Sequence, residues 1–169
     1  MRASWITVGI AVLALTLISG GPASGSVSPI PQTLPPSTAH GANFLLKSQA
    51  DSAFCIEVAA GNTVGRTITV QQCGTVDNQR FMLTDGANGL NELVDTIGMC
   101  LDTAGLVRGD QVPIGLCDYT KSERLSYTGL GQLRFALGCL SITGAASGAP
   151  VTVEKCDSLK MTQRWSLGH

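Results

Sequence analysis

Histidine is almost missing from these 169 residues: only His40 and His169 occur, and they flank the part of the chain that reads as folded. That argues against histidine acid–base catalysis and against His-containing metal centres. Charge is also scarce, at 14% of residues, and the 11 Lys and Arg are scattered singly among 12 Asp and Glu for a net charge of −1. Nucleic acid and anionic membrane surfaces demand clustered cations, so neither is an expected partner. No two cysteines stand at Cys-x-x-Cys spacing, which argues against zinc. Aromatics amount to 5%. No stretch beyond the N-terminal segment sustains a 3.6-residue apolar period, so an almost helix-free body is expected. Neither a nucleophile with a base in reach nor a metal cluster is visible, and the chain reads as a non-enzyme.

The one long apolar run is N-terminal. Arg2 precedes an uncharged stretch whose apolar heart runs over 6–18 and ends at Gly20, Gly21 and Pro22. This is the layout of a secretory signal peptide, shorter than the roughly 20 apolar residues of a spanning helix. Ala23 and Gly25 suit a signal peptidase, so residues 1–25 are assigned to the signal, and the mature protein is expected to be secreted without a membrane span. Residues 26–42, SVSPIPQTLPPSTAHGA, hold no Lys, Arg, Asp or Glu and are rich in Pro, Ser and Thr. Such a segment buries too little apolar surface to offset its ordering entropy, and it reads as a disordered linker. The folded portion is 43–169, about one ordinary domain.

What that portion does contain is repetition. Three copies, at 54–81, 99–125 and 138–165, each open on a cysteine at an apolar strand and pass through a Gly-rich turn and a β-branched strand to a second cysteine. They close on Gln79-Arg80-Phe81, Glu123-Arg124-Leu125 and Gln163-Arg164-Trp165. Six cysteines behind a signal peptide argue for a disulfide framework. They allow 15 pairings, and the repeat symmetry favours the one that closes each copy on itself: Cys55 with Cys73, Cys100 with Cys117, Cys139 with Cys156. Alternation in CIEV at 55–58, the Gly61-Asn62 turn signal and the run at 67–71 predict a hairpin. Copies two and three repeat it, with return strands at 112–114 and 151–153. Opening strands are expected at 44–47, 91–94 and 132–136, and closing ones at 81–83, 125–127 and 165–167. Asn88-Gly89 marks another turn. Twelve short strands in three units must share one core, and a pseudo-threefold closed sheet leaves no exposed edge.

The cysteine spacing, the Cys100-Leu101-Asp102 step and the Gln-x-aromatic endings together resemble the ricin-type β-trefoil lectin family, over essentially all of residues 43–169. The resemblance implies an all-β trefoil of three repeats. It also implies a sugar pocket per repeat, built from an acid two residues after the first cysteine and an aromatic platform two before the second. A polar residue four before the second cysteine and an Asn-Gln pair at the closing step complete it. A carboxylate accepts hydrogen bonds from vicinal hydroxyls, and an amide complements it. Copy one offers Glu57, Thr69, Gln71, Asn78 and Gln79; copy two Asp102, Pro113, Gly115, Ser122 and Glu123; copy three Ser141, Thr152, Glu154, Thr162 and Gln163. No copy has the aromatic platform, and copy three lacks the acid.

The candidate carbohydrate-binding residues are therefore Glu57, Gln71, Asn78, Gln79 and Asp102, with Tyr119 as a substitute platform over the Asp102 turn. Gln79 and Gln163 also have a structural reading, as semi-buried amides tying strands together. Asp102 has one as an acid that holds a turn amide. The expected function is a secreted lectin-like protein with one or two weak sites in repeats one and two, bound to a polymeric or cell-surface glycan without metal or cofactor. The alternative is a degenerate trefoil that serves as a protein-binding or inhibitory scaffold.

Overall fold

Alternating short strands give each repeat four elements, and the computed structural model, which describes residues 43–59, 64–85 and 90–169, contains twelve. Repeat one supplies β1 (Phe44–Ser48), β2 (Phe54–Val58), β3 (Ile68–Gln72) and β4 (Arg80–Asp85). Repeat two supplies β5 (Asn91–Asp95), β6 (Met99–Leu101), β7 (Ile114–Leu116) and β8 (Arg124–Tyr127). Repeat three supplies β9 (Leu133–Phe135), β10 (Cys139–Ile142), β11 (Val151–Glu154) and β12 (Trp165–Gly168). Among the described residues the only helical segments are single 3-10 turns at Asp77–Gln79 and Met161–Gln163. The signal, the linker with His40, and the turn residues Asn62 and Asn88-Gly89 lie outside the described residues.

Six strands form the barrel. β1 pairs with β12 and β4, β4 with β5, β5 with β8, and β8 with β9. The seam between β9 and β12 is closed by the Trp165 amide donating to the Gly131 carbonyl at 2.7 Å. Hairpin registers Lys47↔Cys55, Val94↔Cys100 and Arg134↔Cys139 put Gly131 in the place of Phe44 and Asn91, which pair with Phe81 and Leu125. Here only glycine fits: its φ is +79°, and a Cβ would stand 2.6 Å from the Trp165 carbonyl oxygen.

The other six strands are the hairpins β2–β3, β6–β7 and β10–β11, which meet around the pseudo-threefold axis. The junction is a cyclic set of backbone bonds. Gly65 N donates to Ile114 O, Gly109 N to Val153 O and Gly148 N to Val70 O, each at 2.8 Å. In return Ile114 N donates to Arg66 O, Val153 N to Asp110 O and Val70 N to Ala149 O. The expected return strand at 112–114 falls instead at Ile114–Leu116. Pro113 has no N–H to give to a ladder, so it forms only an isolated bridge with Thr67, while Val112 donates to Val151 O and accepts from Ile68 N in the central triangle.

Beneath this cap the apolar faces of all three copies interlock. Leu46, Ile56, Phe81, Leu101, Leu125, Leu140 and Trp165 are fully buried, and the indole N–H of Trp165 donates to Leu140 O at 3.2 Å. Each cysteine pair closes within its own copy, with Cα atoms 4.9, 5.0 and 4.9 Å apart. Loops of this length contribute about 3 kcal/mol each in the chain-entropy description. Gly131→Ala should destabilise the protein by about 1–3 kcal/mol, through the combination of positive φ and close approach, whereas Gly129→Ala, with nothing within 4 Å, should stay within about 0.5 kcal/mol. Thermal unfolding of the two variants checks this.

Candidate functional site

The closing step of each repeat drives one polar side chain into the protein. Gln79, Glu123 and Gln163 are 2%, 0% and 0% exposed. Gln79 accepts from Gly74 N at 2.7 Å and donates to Gln72 O at 2.9 Å, so its amide staples the chain on both sides of Cys73. Gln163 does the same around Cys156, accepting from Asp157 N at 2.8 Å and donating to Lys155 O at 2.9 Å. The structural reading of these glutamines therefore holds. Copy one adds a second task, because Gln79 Nε2 also donates to Glu57 Oε2 at 2.8 Å.

That bond assembles the copy-one site. Glu57 lies partly exposed on β2, directly opposite Thr69, and Gln71 stands two pairs along, opposite Cys55. Asn78 donates to Val58 O at 3.2 Å, which fixes the step beside Glu57. Glu57, Asn78 and Gln79 are thus brought together around the β2–β3 hairpin, whereas Gln71 lies further along β3 towards Cys73 and shares no hydrogen bond with them among the described residues. Glu57 Oε1 has no protein partner among the described residues.

Copy two is arranged differently. Asp102 Oδ1 accepts from Ala104 N at 2.8 Å, an Asx turn, so this carboxylate is engaged by its own backbone. Tyr119 is 39% exposed and has φ of 61°, the left-handed region, and its amide donates to Glu123 Oε2 at 2.7 Å. Glu123 also accepts from Asp118 N, at 3.1 and 3.0 Å to its two oxygens. Burial pushes its carboxyl up to about 7, against the lowering effect of these amides and with help from the nearby Asp118 and Asp102 charges. The sequence offered Glu123 only as a lost Gln; its zero exposure makes it a distinct feature of the site.

Over copy three lies a cleft of about 570 Å³ lined by Ser141, Thr152, Glu154, Lys160, Met161 and Thr162 among others. Thr152 Oγ1 lies 3.5 Å from both the Ser141 carbonyl and Glu154 Oε1. Ser141 stands in the acid's place, and the carboxylate reaches the cleft from the facing strand β11. Matching acid to acid at one strand position hides this; allowing it on either strand of the hairpin would have found it. Among the described residues no cluster of His, Cys, Asp and Glu suits a metal, and no helix is long and apolar enough to cross a membrane. Gln163→Ala should cost about 1–3 kcal/mol, because it removes a buried amide that serves the part-buried Asp157 N–H and Lys155 carbonyl, and chemical denaturation measures it.

The geometry has relatives. The fold matches a designed threefold-symmetric protein, ThreeFoil, with TM-score 0.66 and 20% identity over 75% of this chain and 98% of that one. It matches the agglutinin of Abrus precatorius with TM-score 0.65 and 22% identity, covering 78% of this chain and 50% of the agglutinin chain. A non-toxic homologue of type II ribosome-inactivating proteins from Momordica charantia, solved with α-methyl-D-galactoside, matches with TM-score 0.63 and 22% identity, covering 75% of this chain and 47% of that one. The chain thus spans the whole of the designed protein and about half of each plant chain. No curated protein sequence matches it. The sequence profile of the ricin-type beta-trefoil lectin domain matches residues 89–169, which are repeats two and three. The described body is a β-trefoil, and its residues 89–169 match the model of the ricin-type beta-trefoil lectin domain.

Proposed function

We propose that the protein is a secreted carbohydrate-binding module that engages polyhydroxylated glycans weakly through copies one and three. The observation that carries this reading is the part-exposed Glu57 carboxylate, held by the buried Gln79 amide at 2.8 Å with its second oxygen unpartnered among the described residues. A pre-oriented carboxylate of this kind accepts two sugar hydroxyls without reorganising. Copy three adds Glu154 beside the hydroxyls of Ser141, Thr152 and Thr162, with Met161 as its apolar wall in place of an aromatic ring. Asp102, held through Oδ1 by its own turn and facing the Glu123 carboxyl where Glu57 has the Gln79 amide, and Tyr119 contribute least. This moves the second site from repeat two, where the sequence put it, to repeat three. The relative solved with α-methyl-D-galactoside supports the sugar class. Three disulfides and the leader-like segment at 1–25, followed by a linker at 26–42, support export.

Without aromatic stacking, a single site should bind in about the millimolar range, and multivalent display on a polymer should add about 100-fold or more. A second reading, a protein-contact scaffold, is favoured at copy two by the exposed Ile97 and Leu116, at 56% and 63%. A glycan array probed with the protein displayed multivalently separates them. Glu57→Ala and Glu154→Ala should each lower binding by about tenfold or more, and Asp102→Ala and Tyr119→Ala should leave it within about twofold. Silence across the array refutes the sugar reading.

A further inference from the structure

Copy two departs from its siblings in three ways, and all three surround one atom group. Where copies one and three bury a glutamine, it buries Glu123. Where they have a 3-10 turn before the closing strand, at Asp77–Gln79 and Met161–Gln163, residues 121–123 form only a hydrogen-bonded turn. Tyr119, two residues past the second cysteine, has positive φ, whereas Thr75 and Ser158 at the same place do not.

The chemistry connects these facts. A glutamine at this position accepts from the amide after the second cysteine and donates to the carbonyl before it, as Gln79 does with Gly74 N and Gln72 O. An ionised carboxylate has no hydrogen to donate, so Glu123 cannot bond the matching Leu116 carbonyl. It collects amide donors instead, taking Asp118 N and drawing in Tyr119 N at 2.7 Å, and that second amide is reachable because Tyr119 turns into the left-handed region. Proton uptake from solvent reverses the balance: one oxygen becomes a donor matched to the Leu116 carbonyl, and the other keeps Asp118 N.

We propose that Glu123 is a proton-operated latch: ionised, it holds Tyr119 in the left-handed conformation, and protonated, it adopts the glutamine pattern of the other two copies and releases the Tyr119 amide. The charged groups facing Glu123 are Asp118, from the loop after β7, and Asp102, at the end of β6; both are acids and both favour proton uptake. Asp118 is itself held low by the Thr120 hydrogen bonds and stays ionised throughout. Arg124, the adjacent cation, acts on Glu92. Burial places the Glu123 transition close to neutrality, so the exposed Tyr119 surface differs between mildly acidic and mildly basic surroundings. The latch stands apart from the sugar reading and survives its failure.

Amide resonances of the ¹⁵N-labelled protein, followed from about pH 5 to about pH 9, test the proposal. Asp118 and Tyr119 should titrate together with a midpoint near 7, while Thr75 and Ser158 stay flat. Glu123→Gln should abolish the transition and hold Tyr119 at its acid-form position, and Asp118→Asn should lower the midpoint by removing a like charge. Stability supplies a second readout. The folded carboxyl lies above its ordinary 4.5, so its contribution is fully present below that value and fades as pH rises through about 7. Glu123→Gln should therefore raise the melting temperature at about pH 8.5 relative to the parent, and the gain should shrink towards about pH 5. Glu92 and Asp95, also raised by burial, act equally in both proteins and cancel in that difference. A flat Tyr119 amide, a titration that persists in Glu123→Gln, or a pH-independent stability difference overturns the latch.

Discussion

Three hairpins meet at the pseudo-threefold axis through a ring of backbone bonds, to which the Gln111 side chain adds one more by donating to Ile68 O at 2.9 Å, and the placement of every candidate site follows from that junction. Each return segment gives an amide to one neighbour and a carbonyl to the other, in a ring that runs from copy one to two to three and back. Backbone bonds of this kind specify position without specifying side chains, at a net worth of about 1 kcal/mol each. The hairpin ends are thereby fixed in space while their outward residues are free to change. Glu57, Asp102 and Ser141 occupy one geometric position and do three different things with it.

Most of the frame could be read from the residues. Cysteine spacing and β-branched runs announced the hairpins, the Gln-Arg-aromatic steps announced the closing strands, and the three bridges form as the repeat symmetry requires. The one displaced strand is β7, and the reason is local: Pro113 looks like part of a Val-Pro-Ile strand but carries no donor. The seam at Gly131 was invisible, because a glycine in a Gly-Leu-Gly run reads as an ordinary turn until the Trp165 carbonyl is seen beside it.

The sites were less legible, for a different reason. Position in a repeat predicts where a side chain starts and not what its far end touches. Asp102 holds the expected place, yet its oxygen is engaged by Ala104 N two residues on. Glu154 falls where an aromatic was sought, and its carboxylate lines the cleft. Glu123 reads as a conservative replacement of glutamine. In a buried setting the change from amide to carboxylate exchanges a donor for a charge, and the neighbouring backbone rearranges to satisfy it.

The disulfides have a consequence of their own. Every bridge spans only its own hairpin, with none running between copies, and the copies are joined instead by the barrel strands and the central amide ring. Covalent restraint and shared architecture are thus carried by separate parts of the molecule. A reductant that opened the Cys139–Cys156 bridge would slacken the rim of the copy-three cleft first, and the barrel beneath would still have its buried apolar layer and its ring of backbone bonds. Loss of one surface cleft and loss of the fold are therefore separable events in this chain.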